Sequence, residues 1–267
     1  MLINDLKSIY QANKQAHPAF LRNLFKERLQ FYILQFVSIS PWSKSLIFKG
    51  GTCLRFFFDL PRLSEDLDFD FPENSHFDIS YFTQEISKHF ATTLQFAKFS
   101  TKIAGNNRTL YLKFPILDQI GPTLSPIESN ILFIRTDFTP VIGHSFITEL
   151  STKSTLNFSF ITKHYSLPDL MAGKKPRNKG RDYYDLIWYL EKNIYPNWTY
   201  LTELTNLSQS VAIKQLKEKI AQVNPQILQD DLTPLFSDSQ FVNSFSQNIN
   251  KIFTSHLRAL TEDPVAT

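Results

Sequence analysis

The chain has one cysteine among its 267 residues, Cys53. An internal disulfide is excluded, and the composition fits a reducing cytoplasm. Cys53 stands in an apolar stretch after a Gly-Gly turn, where a packed thiol is expected rather than a nucleophile. The six histidines (His17, His76, His89, His144, His164 and His256) are scattered and show no metal-ligand spacing. Long apolar runs are also missing. Phe31 to Leu34 and Phe36-Val37 fall far short of a membrane span, so no membrane partner is expected. Asp5 interrupts the N-terminal apolar residues and no cleavage-like region follows, which argues against a signal peptide. Charge of either sign is nearly balanced at a formal +3, which neither demands nor excludes a nucleic-acid partner. There is no internal repeat and no low-complexity linker. What the chain has in quantity is phenylalanine, 25 in all, within a hydrophobic content of 42%. That points to an aromatic-rich interior, and the length allows one large domain or two modest ones.

The most informative stretch runs from Phe48 to Phe71, FKGGTCLRFFFDLPRLSEDLDFDF. A short buried strand at Leu46 to Phe48 is expected to enter the turn Gly50-Gly51-Thr52. A helix should follow over Thr52 to Leu60, stopped by Pro61. Asp66, Asp68 and Asp70 then alternate with Leu67, Phe69 and Phe71. Alternation sends successive side chains to opposite faces of a strand, so the apolar residues pack inward and the carboxylates share the other face. Like charges that close repel unless a cation lies between them. Hard divalent cations take one or two carboxylates together with substrate phosphates. The Gly-Gly-Thr turn supplies unobstructed backbone N–H groups at a helix start, one hydroxyl, and hence a phosphate cradle. A phosphate cradle and a metal-binding pair in one strand–turn–helix–strand unit point to nucleotide chemistry.

Gly-Gly-Thr, thirteen residues, then Asp-Leu-Asp-Phe resembles the signature of the DNA polymerase β-like nucleotidyltransferases. The fuller string, with KGGT, LR and R-L-S-E-D-L-D-F, is similar to the AbiEii/AbiGii-type toxin family in particular. The resemblance implies an α+β fold, with a small mixed sheet flanked by helices as the nucleotidyltransferase core and a C-terminal helical domain. It implies that Asp66 and Asp68 are catalytic metal ligands for Mg2+ or Mn2+, and that Gly50, Gly51 and Thr52 bind a nucleoside triphosphate. Asp137 has two readings. It is a strand-end acid paired with Arg135, or, by the resemblance, the third metal carboxylate.

The rest of the chain reads as follows. Residues 1 to 40 are helical up to Pro41, and Asp78 to Phe96 is an amphipathic helix. Thr109 to Phe114, Ile131 to Phe138 and Asn157 to Thr162 are strands. Along the second of these, Asp137, Arg135, Phe133 and Ile131 share a face. Ser166-Leu167-Pro168-Asp169 is a helix start. From there Asp169, Ala172 and Lys174 fit the family's E-x-x-A-x-K segment. Lys174, Lys175, Arg177, Lys179 and Arg181 lie within eight positions. Such a run is ordinarily a solvated loop. Here Gly180 offers the positive φ for a sharp entry, and Asp182 and Asp185 follow three apart on a helix face. K-G-R-D-Y-Y-D-L resembles the family's second motif. The resemblance places Lys174 in the active site, pairing with triphosphate charge, and gives Asp182 the task of orienting it or accepting a proton. Relatives carry a longer insert between that lysine and the GRD step, and in this shorter segment Lys175 is an alternative to Lys174. Asp230-Asp231 reads as a loop, residues 196 to 267 as all-helical, and Thr261 to Thr267 as a disordered tail.

The expected domains are 1–165, the core with its N-terminal helices, and 166–267, the helical domain with the K…GRDxxD motif. The expected activity is transfer of a nucleoside monophosphate from an NTP to an acceptor hydroxyl, with release of pyrophosphate. The resemblance implies the toxin of a bacterial toxin–antitoxin or abortive-infection system, a role in phage defence, with a cognate antitoxin and the 3′ end of tRNA as acceptor. The alternatives are nucleotide transfer onto a protein side chain, or a catalytically silent relative that binds RNA or protein. The close Asp66/Asp68 pair speaks against the silent relative, and the short Lys174–Asp182 segment speaks for it.

Overall fold

A computed structural model describes residues 2–121, 129–174 and 179–257. Lys175 and Arg177 of the basic run, and the tail 261–267, lie outside the described residues. The chain divides into two compact units, Met1–Val141 with Glu149–His164, and Ile142–Thr148 with Tyr165–Thr267.

The first unit opens with helices α1 (Leu2–Ala12) and α2 (Pro18–Ile39), the second ending just before Pro41. Strand β1 (Ile47–Lys49) runs directly into α3 (Gly50–Phe57), and β2 (Leu67–Phe71) carries the alternating acids. Helix α4 (Ile79–Thr92) is capped by Asp78, whose carboxylate accepts the Ser80 and Tyr81 N–H groups. Strands β3 (Ser100–Ala104), β4 (Thr109–Pro115), β5 (Ile131–Pro140), β6 (Thr148–Ser154) and β7 (Ser159–Tyr165) follow, with the short helix α5 (Leu117–Ile120) between β4 and β5. They form one seven-stranded sheet in the order β3-β4-β5-β2-β1-β7-β6. The sheet is mixed. β1 is antiparallel to β2 and parallel to β7, β2 is parallel to β5, and β4 is antiparallel to both of its neighbours, β3 and β5.

The phenylalanines fill the interior as their number suggests. Phe48, Phe69 and Phe138 stand side by side on the inner face of β1, β2 and β5, with ring centroids 5.1 and 5.7 Å apart. Phe82 of α4 meets Phe138 edge-on at 5.1 Å, and Phe36 of α2 meets Phe82 at 5.4 Å. Such offset and edge contacts add about 0.5–1.5 kcal/mol each beyond the area they bury. The carboxylate-bearing face of β2 is thus held by a rigid aromatic layer beneath it.

From Leu167 on, the regular elements among the described residues of the second unit are all helices. It contains α6 (Leu167–Ala172), α7 (Gly180–Glu191), α8 (Trp198–Thr205), α9 (Gln209–Ala221), α10 (Pro225–Leu232) and α11 (Ser239–Leu257). Its first helix is fixed by Asp169, which is buried. One carboxylate oxygen accepts the Ile147 N–H at 2.8 Å and the Ser166 hydroxyl, and the other accepts the Asn197 amide at 2.8 Å. Ser166 stands at the N-cap as expected, but its hydroxyl serves Asp169 and caps no backbone N–H. Asp231 is a helical residue of α10, not a loop residue. Among the described residues, no helix is long and apolar enough to cross a membrane.

Candidate active site

Gly50 and Gly51 form the first turn of α3, and each is glycine for its own reason. Gly50 has φ +81, a left-handed conformation that costs other residues about 1–2 kcal/mol. A Cβ there would lie 2.3 Å from Asp68 Oδ2, so the carboxylate rests against the bare Cα. At Gly51 a Cβ would meet Arg62 Nη2 at 2.6 Å and Ser64 Oγ at 3.0 Å. Arg62 is only 2% exposed and donates from Nη1 to the Leu63 carbonyl at 2.8 Å. The Arg-Leu-Ser lead-in to the acidic strand is therefore packing beneath the turn. Thr52 is buried, and its hydroxyl donates to the Asp66 carbonyl at 2.5 Å. That bond ties the helix start to the start of the acidic strand. What the turn presents outward is backbone. Among the described residues no side chain caps α3, which leaves its first N–H groups without the partner a cap would give them.

The acids of β2 differ in surroundings. Asp70 is 5% exposed and lies 2.5 Å from Lys49 Nζ, so a lysine on the neighbouring strand neutralises it. Asp68 faces Lys49 across the β1–β2 ladder and Asp137 across the parallel β2–β5 ladder. Asp66 precedes the strand and is part-exposed. Asp137 accepts the Thr109 hydroxyl at 2.6 Å and forms a two-point ion pair with Arg135, at 2.8 and 3.2 Å. Burial works against the Arg135 charge, but Asp137 and then Asp66 outweigh it, so the guanidinium is held above its ordinary pKa. Of the two sequence readings of Asp137, the pairing with Arg135 is present in the structure.

Among the described residues, no three His, Cys, Asp or Glu side chains form a group placed to hold a metal. The donor chemistry that fits a hard divalent cation is the Asp66/Asp68 pair. Mg2+ characteristically takes one or two carboxylates and completes its shell with water and substrate phosphates. The start of α3, with no side-chain cap among the described residues, lies directly beside Asp68.

In the second unit Lys174 follows α6 and reaches the first turns of α7. Its Nζ bonds the Asp185 carboxylate and lies 3.8 Å from Asp182 Oδ1. Both acids are buried, Asp185 entirely. Burial, and then Asp182, raise the pKa of the adjacent Tyr183 phenol. The sequence pairs Lys174 with Asp182, whereas in the structure Asp185 is its nearer partner. The i, i+3 spacing of the two acids was the signal for it. Gly180 does not adopt positive φ. It is glycine because a Cβ would come within 2.9 Å of Asp231 and Leu228 of α10. The Asp231 carboxylate accepts the Gly180 N–H at 2.6 Å and so caps α7. A cavity of about 490 Å³ opens beside this cluster, lined by Met171, Lys174, Asp182, Tyr189, Trp198 and Ile213 among others.

The family described as "Nucleotidyl transferase AbiEii toxin, Type IV TA system" matches residues 32–241, which include both clusters. Two solved structures are similar in outline. A candidate nucleotidyltransferase from H. pylori is 16% identical, with a TM-score of 0.43, over 87% of this chain and 96% of the other. JHP933 from Helicobacter pylori is 16% identical, with a TM-score of 0.42, over 90% of this chain and 98% of the other. No curated protein matches the chain.

Proposed function

The chain belongs to the AbiEii nucleotidyltransferase toxin family of type IV toxin–antitoxin systems, and from that premise we propose a metal-dependent transfer of a nucleoside monophosphate onto the 3′ end of an RNA, with tRNA as the acceptor. The acceptor hydroxyl attacks the α-phosphorus and the bond to the bridging oxygen of the β-phosphate breaks. Pyrophosphate leaves, and the hydroxyl proton passes to a site carboxylate or to water. Asp66 and Asp68 would hold the divalent ion, Mg2+ or Mn2+. A bound ion would supply charge neutralisation at the α-phosphate and acidify the attacking hydroxyl. Asp137 is the candidate third ligand, available only once Arg135 releases it.

The residues of the chain itself mostly position the reactants. Gly50, Gly51 and Thr52 offer backbone N–H groups to the phosphates, and the Thr52 hydroxyl holds Asp66 in line. Lys174 is assigned triphosphate charge, and Asp182 and Asp185 are the positioning residues that fix its ammonium. A cognate antitoxin that controls this activity belongs to the same proposal.

The observation that carries the reading is the Asp68 carboxylate seated against the bare Cα of Gly50 at the uncapped start of α3. It sets a carboxylate oxygen, suited to a divalent ion, against a helix start whose N–H groups suit phosphates, and so supports the reading. The test incubates purified protein with Mg2+, each α-labelled NTP in turn and total tRNA, beside Asp68→Asn. Label on RNA from the unaltered protein alone supports the reading. Label on protein would put transfer to a side chain in its place, and label on neither would remove the proposed reaction.

A further inference from the structure

The sheet face that carries Asp68 and Asp137 continues, open to solvent, across β5, β4 and β3. Antiparallel strands with one buried face normally turn polar residues to the other. The buried face obeys, with Leu110, Leu112, Phe114, Leu132 and Ile134 all at 1% exposure or less. The open face does not. Phe133 is 49% exposed and Ile131 40%, and the Tyr111 ring lies 6.2 Å from that of Phe133, edge to face. On strands β3 and β4 and on β5 short of Asp137, the charged residues beside these rings are cations, Arg135 being paired with Asp137. Lys113 is the cross-strand neighbour of Phe133, Arg135 that of Tyr111, and Lys102 stands beyond Tyr111 on β3. Lys26 of α2 reaches over Phe133 with its Nζ 5.4 Å from the ring centroid, while pairing with Glu65 at 3.0 Å. Between Asp137 and the sheet edge, β3, β4 and β5 put no carboxylate on this face.

An open surface with one exposed and one half-buried ring, interleaved with lysines, fits one class of partner well, a single-stranded polynucleotide. Bases stack on the rings irrespective of sequence, and phosphates pair with the cations. A membrane would not take the acidic end of the face, and a protein partner would not need cations set between the rings. We propose that this face is the platform for the single-stranded 3′ end of the RNA acceptor. Bases stack on Phe133 and Tyr111, Lys102 and Lys113 meet the phosphates, and the chain end runs along β5 toward Asp137 and Asp68. Phe133 lies four residues from Asp137, about 13 Å along the strand at 3.3 Å per residue, a span of a few nucleotides. The proposal rests on the RNA-acceptor reading above and adds where the acceptor lies. Phe133 and Tyr111 are thus positioning residues.

The test measures binding of a labelled single-stranded RNA with a free 3′ hydroxyl by fluorescence anisotropy, without nucleotide, and transfer to the same RNA in parallel. Phe133→Ser is expected to weaken binding about tenfold, the effect of losing one stacked base, and Phe133→Tyr to restore it. Lys102→Gln with Lys113→Gln should flatten the dependence of log affinity on log salt by about 1.4, near 0.7 for each phosphate that is no longer neutralised. Thermal melting of each variant, expected to match the unaltered protein, checks that it is folded. RNA that binds Phe133→Ser and the lysine variant as tightly as the unaltered protein overturns the platform, as does an unaltered protein that binds no single-stranded RNA. Asp68→Asn separates this outcome from failure of the reaction. It should stop transfer while leaving RNA binding intact. Transfer to RNA that Phe133→Ser does not impair removes the platform and leaves the reaction standing. RNA binding that depends on Phe133 without any transfer leaves the platform and removes the reaction.

Discussion

An alanine at Gly50 would have to adopt φ +81 and place its Cβ 2.3 Å from Asp68 Oδ2. The backbone strain alone costs about 1–2 kcal/mol, and relieving the clash moves the carboxylate. Gly50→Ala is therefore expected to lower Tm by several degrees and to abolish transfer even where the protein is still folded. At Thr52 the expected split is the reverse. Thr52→Val keeps the shape and loses the bond to the Asp66 carbonyl, a cost of about 1 kcal/mol in denaturant melts. Because the hydroxyl is buried, transfer should survive at a reduced rate, with the main effect on kcat through the position of Asp66. Cys53 is fully buried, and burial, with a smaller contribution from Glu149, pushes its thiol pKa up. It is expected to resist thiol reagents at neutral pH in the folded protein and to react at the rate of unfolding.

Among the elements, helix α4 carries a pH response. His89 is half-buried against Phe36, and burial lowers its pKa below the ordinary imidazole value of 6.5. A base whose folded pKa is lowered favours the folded state while it is neutral. Its contribution is complete above pH 6.5 and is lost as the pH falls through that value toward the folded pKa. Tm measured from pH 7.5 down to 5.5 should fall, and His89→Phe should flatten that part of the profile. In the second unit, Asp231→Ala removes the carboxylate that caps α7 and should destabilise the chain by about 0.5–2 kcal/mol in denaturant melts.

The elements also show what the sequence made legible. The turn, the acidic strand, α4 and strands β4 and β5 could be read because each has a buried face with a clean period. β3 and β6 were missed because they are the outer strands of the sheet. Their residues, STKIA and TELSTKS, are half-exposed or exposed and leave no alternation to find. Gly180 misled for a related reason. A glycine before a helix suggests a positive φ, and only the approach of α10, 51 residues along the chain, shows that it is glycine for space. The Lys49–Asp70 pair could not be read either. It depends on the register between β1 and β2, whereas the alternation of acids alone presents Asp70 as equal to Asp66 and Asp68.

At the scale of the whole molecule, the chain combines an aromatic-cored sheet unit carrying the carboxylates with a helical unit carrying Lys174, Asp182 and Asp185. The net charge of +3 says little about partners, but its local distribution says more. Acids gather at one end of the open sheet face and lysines along the rest. The central claim, nucleotidyl transfer dependent on Asp68, is tested most directly by incubating the purified protein with Mg2+, an α-labelled NTP and tRNA beside its Asp68→Asn variant. The account predicts label on the RNA 3′ end from the unaltered protein and loss of at least about a hundredfold in the variant. Equal labelling by the two proteins would contradict it.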